Sequence, residues 1–244
     1  MAYCVDVNFC DWNDHWKTTG ISLFANISDY WYICQKSETK VNFYEFKNEN
    51  LARCCFSIYG LADATRASVS SNLSRWTSEG KLIKLRKGWY AFPERTIDHS
   101  DRMFIANSIY SPSYVSLFSA LAYYEMIPEA VNSVSNVSTL KTADFISTAG
   151  TFSYRKVKPG MFFGYDVISS PRRVPYMIAT AEKALLDLLY LYPEYSSVAD
   201  IEGLRLDEDF MREEFLWDRM NEYLARAASK ALATRVKLVE SIYR

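Results

Sequence analysis

From Val41 to Pro93 the apolar positions recur with the spacing of short helices and then of one hairpin. The spacing predicts a helix over 47–59, with Leu51, Cys54, Cys55 and Ile58 on one face and Gly60 as its stop. A short helix over 61–65 follows, then a third over 68–79 with Val69, Leu73 and Trp76 at i, i+4 and i+7. Lys81-Leu-Ile-Lys-Leu85 reads as a strand, Arg86-Lys-Gly88 as a tight turn, and Trp89-Tyr-Ala-Phe92 as the returning strand.

Three helices and a hairpin within about fifty residues is the order of a winged helix-turn-helix, which sets an expected domain over 44–95. Beyond a linker near 95–101, the pattern predicts helices over 104–110 and 114–125. Strands are expected over 134–140, 151–157, 161–165 and 174–178. Residues 178–191 form a strong amphipathic helix pattern, with Thr180 as its N-cap and Glu182 favoured by the helix dipole. The stretch 207–244 reads as two further helices. The expected fold class is therefore α+β, with the winged helix followed by a larger mixed domain over 102–244 that ends in helices. Residues 1–43, rich in tryptophan and without a sustained period, are expected to be a poorly ordered extension.

Composition supports a globular reading of the 244 residues, with 49% hydrophobic and 23% charged. No apolar run reaches the roughly 18 residues of a membrane span, and the first residues lack a signal-peptide pattern. The expectation is a cytoplasmic protein without membrane contact. The five cysteines show no C-x₂-C spacing, so reduced thiols and no metal or other cofactor are expected.

The net charge of −1 hides segregation. Between Arg66 and Arg95 stand seven basic residues and only two acidic ones, Glu79 and Glu94. If Val69, Leu73 and Trp76 face a core, Ser70, Ser71, Ser74, Arg75 and Ser78 project outward. Small hydroxyl residues beside one arginine suit a helix in a major groove, where Arg can reach guanine bidentately. Arg66, Lys84, Arg86 and Lys87 are then placed to meet phosphates, the last three at the hairpin.

No G-x-S-x-G elbow, Walker loop or G-x-G-x-x-G occurs, so no catalytic residue is assigned and no enzyme is expected. Glu182-Lys183 with Asp187 invites comparison with a metal nuclease, but their spacing is explained by capping and dipole compensation at a helix start. Tyr110, Tyr114, Tyr123, Tyr124, Phe152, Tyr154, Phe162, Phe163 and Tyr165 are read as packing residues.

The run Leu73-Ser-Arg-Trp76, Gly80-Lys-Leu-Ile-Lys-Leu-Arg-Lys-Gly88 and Trp89-Tyr-Ala-Phe92 resembles the winged helix of AbiEi-type antitoxins, regulators of abortive-infection (phage defence) systems. The later runs are similar too: Pro112-Ser-Tyr-Val-Ser-Leu-Phe-Ser-Ala-Leu-Ala-Tyr-Tyr124, Phe162-Phe-Gly-Tyr165 and Ala181-Glu-Lys-Ala-Leu-Leu-Asp-Leu-Leu-Tyr190. The likeness covers about 44–193; Ala181 stands where the family pattern has proline. It implies a type IV toxin–antitoxin arrangement. The winged helix would repress its own operon at inverted repeats of double-stranded DNA. The second domain would counter a nucleotidyltransferase toxin without a stable complex. Two alternatives are a regulator without a toxin partner and a non-enzymatic protein-interaction module that grips a basic partner through its acidic C-terminal helices.

Overall fold

The computed structural model describes residues 41–129, 131–169 and 174–244, and the expected extension lies outside them except for its last three positions. Residues 41–244 form one compact unit of α+β type. Two apolar cores lie within it. A small one joins Phe46, Phe56, Val69, Leu73, Trp76, Leu82, Tyr90 and Phe92. The larger one fills the rest of the unit.

Around the small core run α1 (Phe43–Asn50), β1 (Phe56–Ser57), a 3₁₀ turn (Ile58–Gly60), α2 (Asp63–Ser78), β2 (Ile83–Arg86) and β3 (Trp89–Ala91). The three strands form an antiparallel sheet in the order β1-β3-β2. The first helix starts earlier than its apolar spacing suggests, because Asn42 caps it by accepting from the Tyr44 amide. It also ends earlier. Phe56 is taken into the sheet opposite Tyr90, and Cys54 and Cys55 turn into the larger core. The expected second and third helices are a single helix, α2. Nothing between Thr65 and Ser68 breaks it, since Arg66 and Ala67 are both good helix formers.

The segment 95–101 is no loose linker. The Arg95 guanidinium donates to Asp101 Oδ1 (3.1 Å), to Cys54 Sγ (3.0 Å) and to the Ala52 carbonyl. Asp98 and Asp101 form a capping box that starts α3 (His99–Ile109).

The larger core surrounds a six-stranded mixed sheet in the order β6-β7-β5-β4-β9-β8. Its strands are β4 (Ser113–Val115), β5 (Ser133–Ser138), β6 (Ala143–Ser147), β7 (Gly150–Lys156), β8 (Tyr165–Ser169) and β9 (Pro175–Ala179). The predicted helix over 114–125 divides here. Tyr114 and Val115 pair with β5, and only α4 (Leu117–Tyr123) is helical. The predicted strand at 161–165 is instead a 3₁₀ turn (Pro159–Met161) followed by β8. Strand β6, absent from the predicted set, pairs with β7.

Helix α5 (Ala181–Leu191) is buried on nearly every side from Ala181 to Leu189. That burial fits a helix running through the interior rather than lying on a surface. Thr180 Oγ1 caps it by accepting from the Lys183 amide (3.3 Å). Four helices follow, α6 (Val198–Glu202), α7 (Glu208–Glu213), α8 (Trp217–Ala227) and α9 (Lys230–Tyr243), so the stretch 207–244 holds three helices where two are expected. Helices α8 and α9 pack against α5.

Candidate nucleic-acid interface

Helix α2 divides into two faces. Val69, Leu73 and Trp76 are buried, Trp76 with a T-shaped contact to Phe43 and a stacked one to Phe46. Ser70, Ser71, Ser74, Arg75 and Ser78 are exposed along the opposite stripe. The Ser71 and Ser78 hydroxyls donate to the carbonyls of Ser68 and Arg75, both at 2.8 Å, and Ser71 Oγ also accepts from Asn72 Nδ2 (3.3 Å). Ser70 and Ser74 make no side-chain hydrogen bond to a described residue. Arg75 donates to Asn72 Oδ1 (2.6 Å), with Glu79 4.0 Å away. Arg66, one turn from the start of α2, pairs with Asp63.

The hairpin turns tightly at Lys87-Gly88, where the register shifts between Lys84 and Arg86. Gly88 has φ +82°, and a Cβ there would meet Tyr59 Cε2 at 2.5 Å. That backbone favours glycine and leaves Lys87 at the tip. Lys84 and Lys87 are exposed and pair with no described carboxylate.

Arg86 departs from its predicted role as a phosphate contact. Its side chain is half-buried, and its guanidinium donates to the Ile109 carbonyl (2.6 Å). It lies 4.8 Å over the Tyr110 ring and 5.0 Å over the Phe145 ring. Strand β2 packs on β6 at this point. Of the seven basic residues between 66 and 95, Arg86 and Arg95 are thus turned inward, and Lys81 is paired with Glu79 at 2.6 Å. Arg66, Arg75, Lys84 and Lys87 keep their charge on the surface.

A second polar cluster is one that sequence spacing assigns to helix capping. Lys183 and Asp187, one turn apart on α5, are ion-paired with neither side chain accessible. Lys183 Nζ also donates to Tyr114 Oη (2.9 Å). Asp187 Oδ2 accepts from Tyr114 Oη and Ser116 Oγ, each at 2.9 Å. Burial pushes Asp187 upward and Lys183 downward from their ordinary values, and each partner's opposite charge resists the shift. Gly164, at φ +71°, lies against the Lys183 stem, where a Cβ would come within 3.0 Å. Glu182 is buried as well, accepting from the Leu216 amide (3.1 Å) at the start of α8, with Arg219 at 3.5 Å. The predicted account of Glu182, Lys183 and Asp187 as capping and dipole compensation is therefore incomplete. They join α5 to β4 and to α8.

This cluster draws together residues from the three runs centred on Tyr114, Phe163 and Lys183. Its chemistry is that of a closed structural link, because Tyr114, Ser116, Glu182, Lys183 and Asp187 are all buried and only Arg219 at its edge reaches solvent. Cys54 and Cys55 are also closed. Burial pushes both thiols up to about 12, with the hydrogen bond to Asp101 adding to the shift at Cys54, so neither is a ready thiolate. Among the described residues no group of three His, Cys, Asp or Glu side chains could hold a metal ion. No described helix is long and apolar enough to cross a membrane. No protein-family model and no curated protein matches the chain.

Proposed function

We propose that the chain is a sequence-specific DNA-binding transcriptional regulator. In this reading the small core with its β1-β3-β2 sheet is a winged helix-turn-helix whose second helix is shortened to the 3₁₀ turn at 58–60. Helix α2 enters the major groove and the β2–β3 hairpin is the wing. The observation that carries the reading is the outer stripe of α2, where four serines and Arg75 stand opposite Val69, Leu73 and Trp76. Short hydroxyl side chains let a helix backbone approach base edges closely. Arg75 supplies the fork that recognises guanine, and Lys84 and Lys87 supply phosphate contacts from the wing. Arg66, at the first turns of α2, meets phosphate once Asp63 yields it.

The resemblance to AbiEi-type antitoxins extends the proposal to an autorepressor acting at inverted repeats. The larger domain would then neutralise a nucleotidyltransferase toxin of a type IV pair. Fluorescence anisotropy with the gene's own upstream DNA, beside a scrambled duplex and across a range of salt, tests the regulator reading. Preference for the upstream duplex by at least about a hundredfold is expected. Equal binding to both, or none to either, overturns it. The antitoxin half is tested by co-expression with a neighbouring nucleotidyltransferase gene, where growth rescue is the expected result.

A further inference from the structure

Resting on the DNA-binding reading, we propose that Lys141, Lys156 and Lys158 form a second phosphate-binding stretch. It lies at one end of the six-stranded sheet and holds the same duplex beyond the wing.

The larger domain is an unexpected place for a polyanion, since residues 96–244 carry 19 acidic and 16 basic side chains. The balance reverses locally. Between 139 and 160 stand Lys141, Arg155, Lys156 and Lys158 against one acid, Asp144, and Asp144 is taken by Arg155 at 2.9 Å. The three lysines are exposed, and none pairs with a described carboxylate.

The sheet brings them together. Ala143 lies opposite Tyr154 in the β6–β7 pair, so two further steps of that antiparallel register set position 141 opposite 156. The Lys156 amide donates to Thr142 Oγ1 (3.3 Å) and closes this end. Val157 is buried between Lys156 and Lys158, and its amide donates to the Ser138 carbonyl (2.9 Å). Side chains alternate along an extended chain, which leaves Lys156 and Lys158 on the outward side together.

The patch is joined to the wing by one tyrosine. Tyr110 Oη donates to the Lys141 carbonyl (2.7 Å), while the other end of the contact is Arg86 of β2, stacked on the Tyr110 ring. A duplex presents a phosphate charge about every 1.7 Å along its axis, so backbone leaving Lys84 and Lys87 meets further cations if it passes this end of the sheet. The attraction is between ammonium groups and phosphates, with no base-edge donor or acceptor among the three. The stretch therefore adds affinity and salt dependence without changing sequence preference.

The test compares full-length wild type with the Lys141→Ala/Lys156→Ala/Lys158→Ala variant, whose fold is checked by circular dichroism and thermal melting. Two upstream duplexes are used, one spanning only the recognition site and one extended past it. A Lys230→Ala/Lys237→Ala variant, altered in exposed lysines of α9, controls for overall charge. On the long duplex the triple variant should lower the slope of log K against log salt by about 2–3 units. On the short duplex it should bind as wild type does, and the preference over scrambled DNA should stay the same. A slope unchanged on the long duplex, or one lowered equally by the control, overturns the second stretch while leaving the winged-helix reading in place. Failure of wild type to bind any duplex removes both.

Discussion

The Arg86 guanidinium lies 4.8 Å above the Tyr110 ring and donates to the carbonyl just before it, that of Ile109. A residue at the base of a basic hairpin is thereby committed to holding the two cores together. Its neighbour Lys87, one position on, stays at the exposed tip. Adjacent cations in one turn thus have opposite tasks.

Substituting each separates the tasks. Arg86→Ala should destabilise the protein by about 2–3 kcal/mol, from a lost charged hydrogen bond and cation–π contacts in a half-buried site. Its effect on the salt slope should be small once the folded fraction is taken into account. Lys87→Ala should leave the urea midpoint unchanged and lower the slope by about one unit. Urea denaturation and salt-titrated anisotropy on both variants check this pair. A slope change at Arg86 equal to that at Lys87 would restore Arg86 to the phosphate contacts.

Arg75→Ala is expected to erode preference rather than overall binding. A bidentate base contact is worth about 1–3 kcal/mol of discrimination. The variant should therefore lose roughly five- to hundredfold on the upstream duplex and little on the scrambled one. Competition anisotropy with both duplexes reads the ratio. Equal losses on the two would make Arg75 a phosphate contact.

The inward and outward faces of α2 were legible because Val69, Leu73 and Trp76 repeat with a helix's own period, which needs no distant partner. The hairpin was legible for a similar reason, since its turn and flanking strands are contiguous. Strand β1 was not, because Cys54, Cys55, Phe56 and Ile58 are a short apolar run that fits a helix face as readily as a strand. Only pairing with Trp89 and Tyr90 decides it. Arg86 misled in the same way: a basic residue beside a turn reads as solvated, and the rings that bury it lie 24 and 59 positions further along. At Lys183 and Asp187 the i,i+4 spacing was visible. Their burial depends on Tyr114 and Ser116, which nothing local to α5 reveals.

Acid should weaken the seam between the cores through Asp101. Burial alone would raise this carboxyl, but the Cys54 thiol, a backbone amide at Asp98 and the Arg95 guanidinium together hold it below the ordinary value of 3.8. A depressed folded-state value means the carboxylate's stabilisation is fully present above that ordinary value. It is lost as pH falls through the lower, folded one. Asp101→Asn should cost about 1.5–3 kcal/mol at neutral pH, the range for hydrogen bonds to a charged group. The gap to wild type should narrow progressively once pH drops below 3.8. Urea midpoints of both proteins across that range measure it, and a gap independent of pH would assign the seam's strength to other contacts.

The Lys183–Asp187 pair makes the sharpest energetic demand, because both charges are sealed from water. Removing one partner leaves the other buried and unpaired, at a cost of about 3–5 kcal/mol. Asp187→Asn keeps the shape and can still accept from Tyr114 and Ser116, so its cost isolates the stranded ammonium of Lys183. Lys183→Met keeps the stem against Gly164 and instead strands the carboxylate. Neither charge remains in the double variant, which should be less destabilised than the two single costs combined. The shortfall should be about 2–3 kcal/mol, at the upper end of measured couplings for contacting residues. A double-mutant cycle by urea denaturation gives that coupling directly. Additive losses would mean that the two side chains act separately, and that Tyr114 and Ser116, rather than the ion pair, fasten α5 to β4.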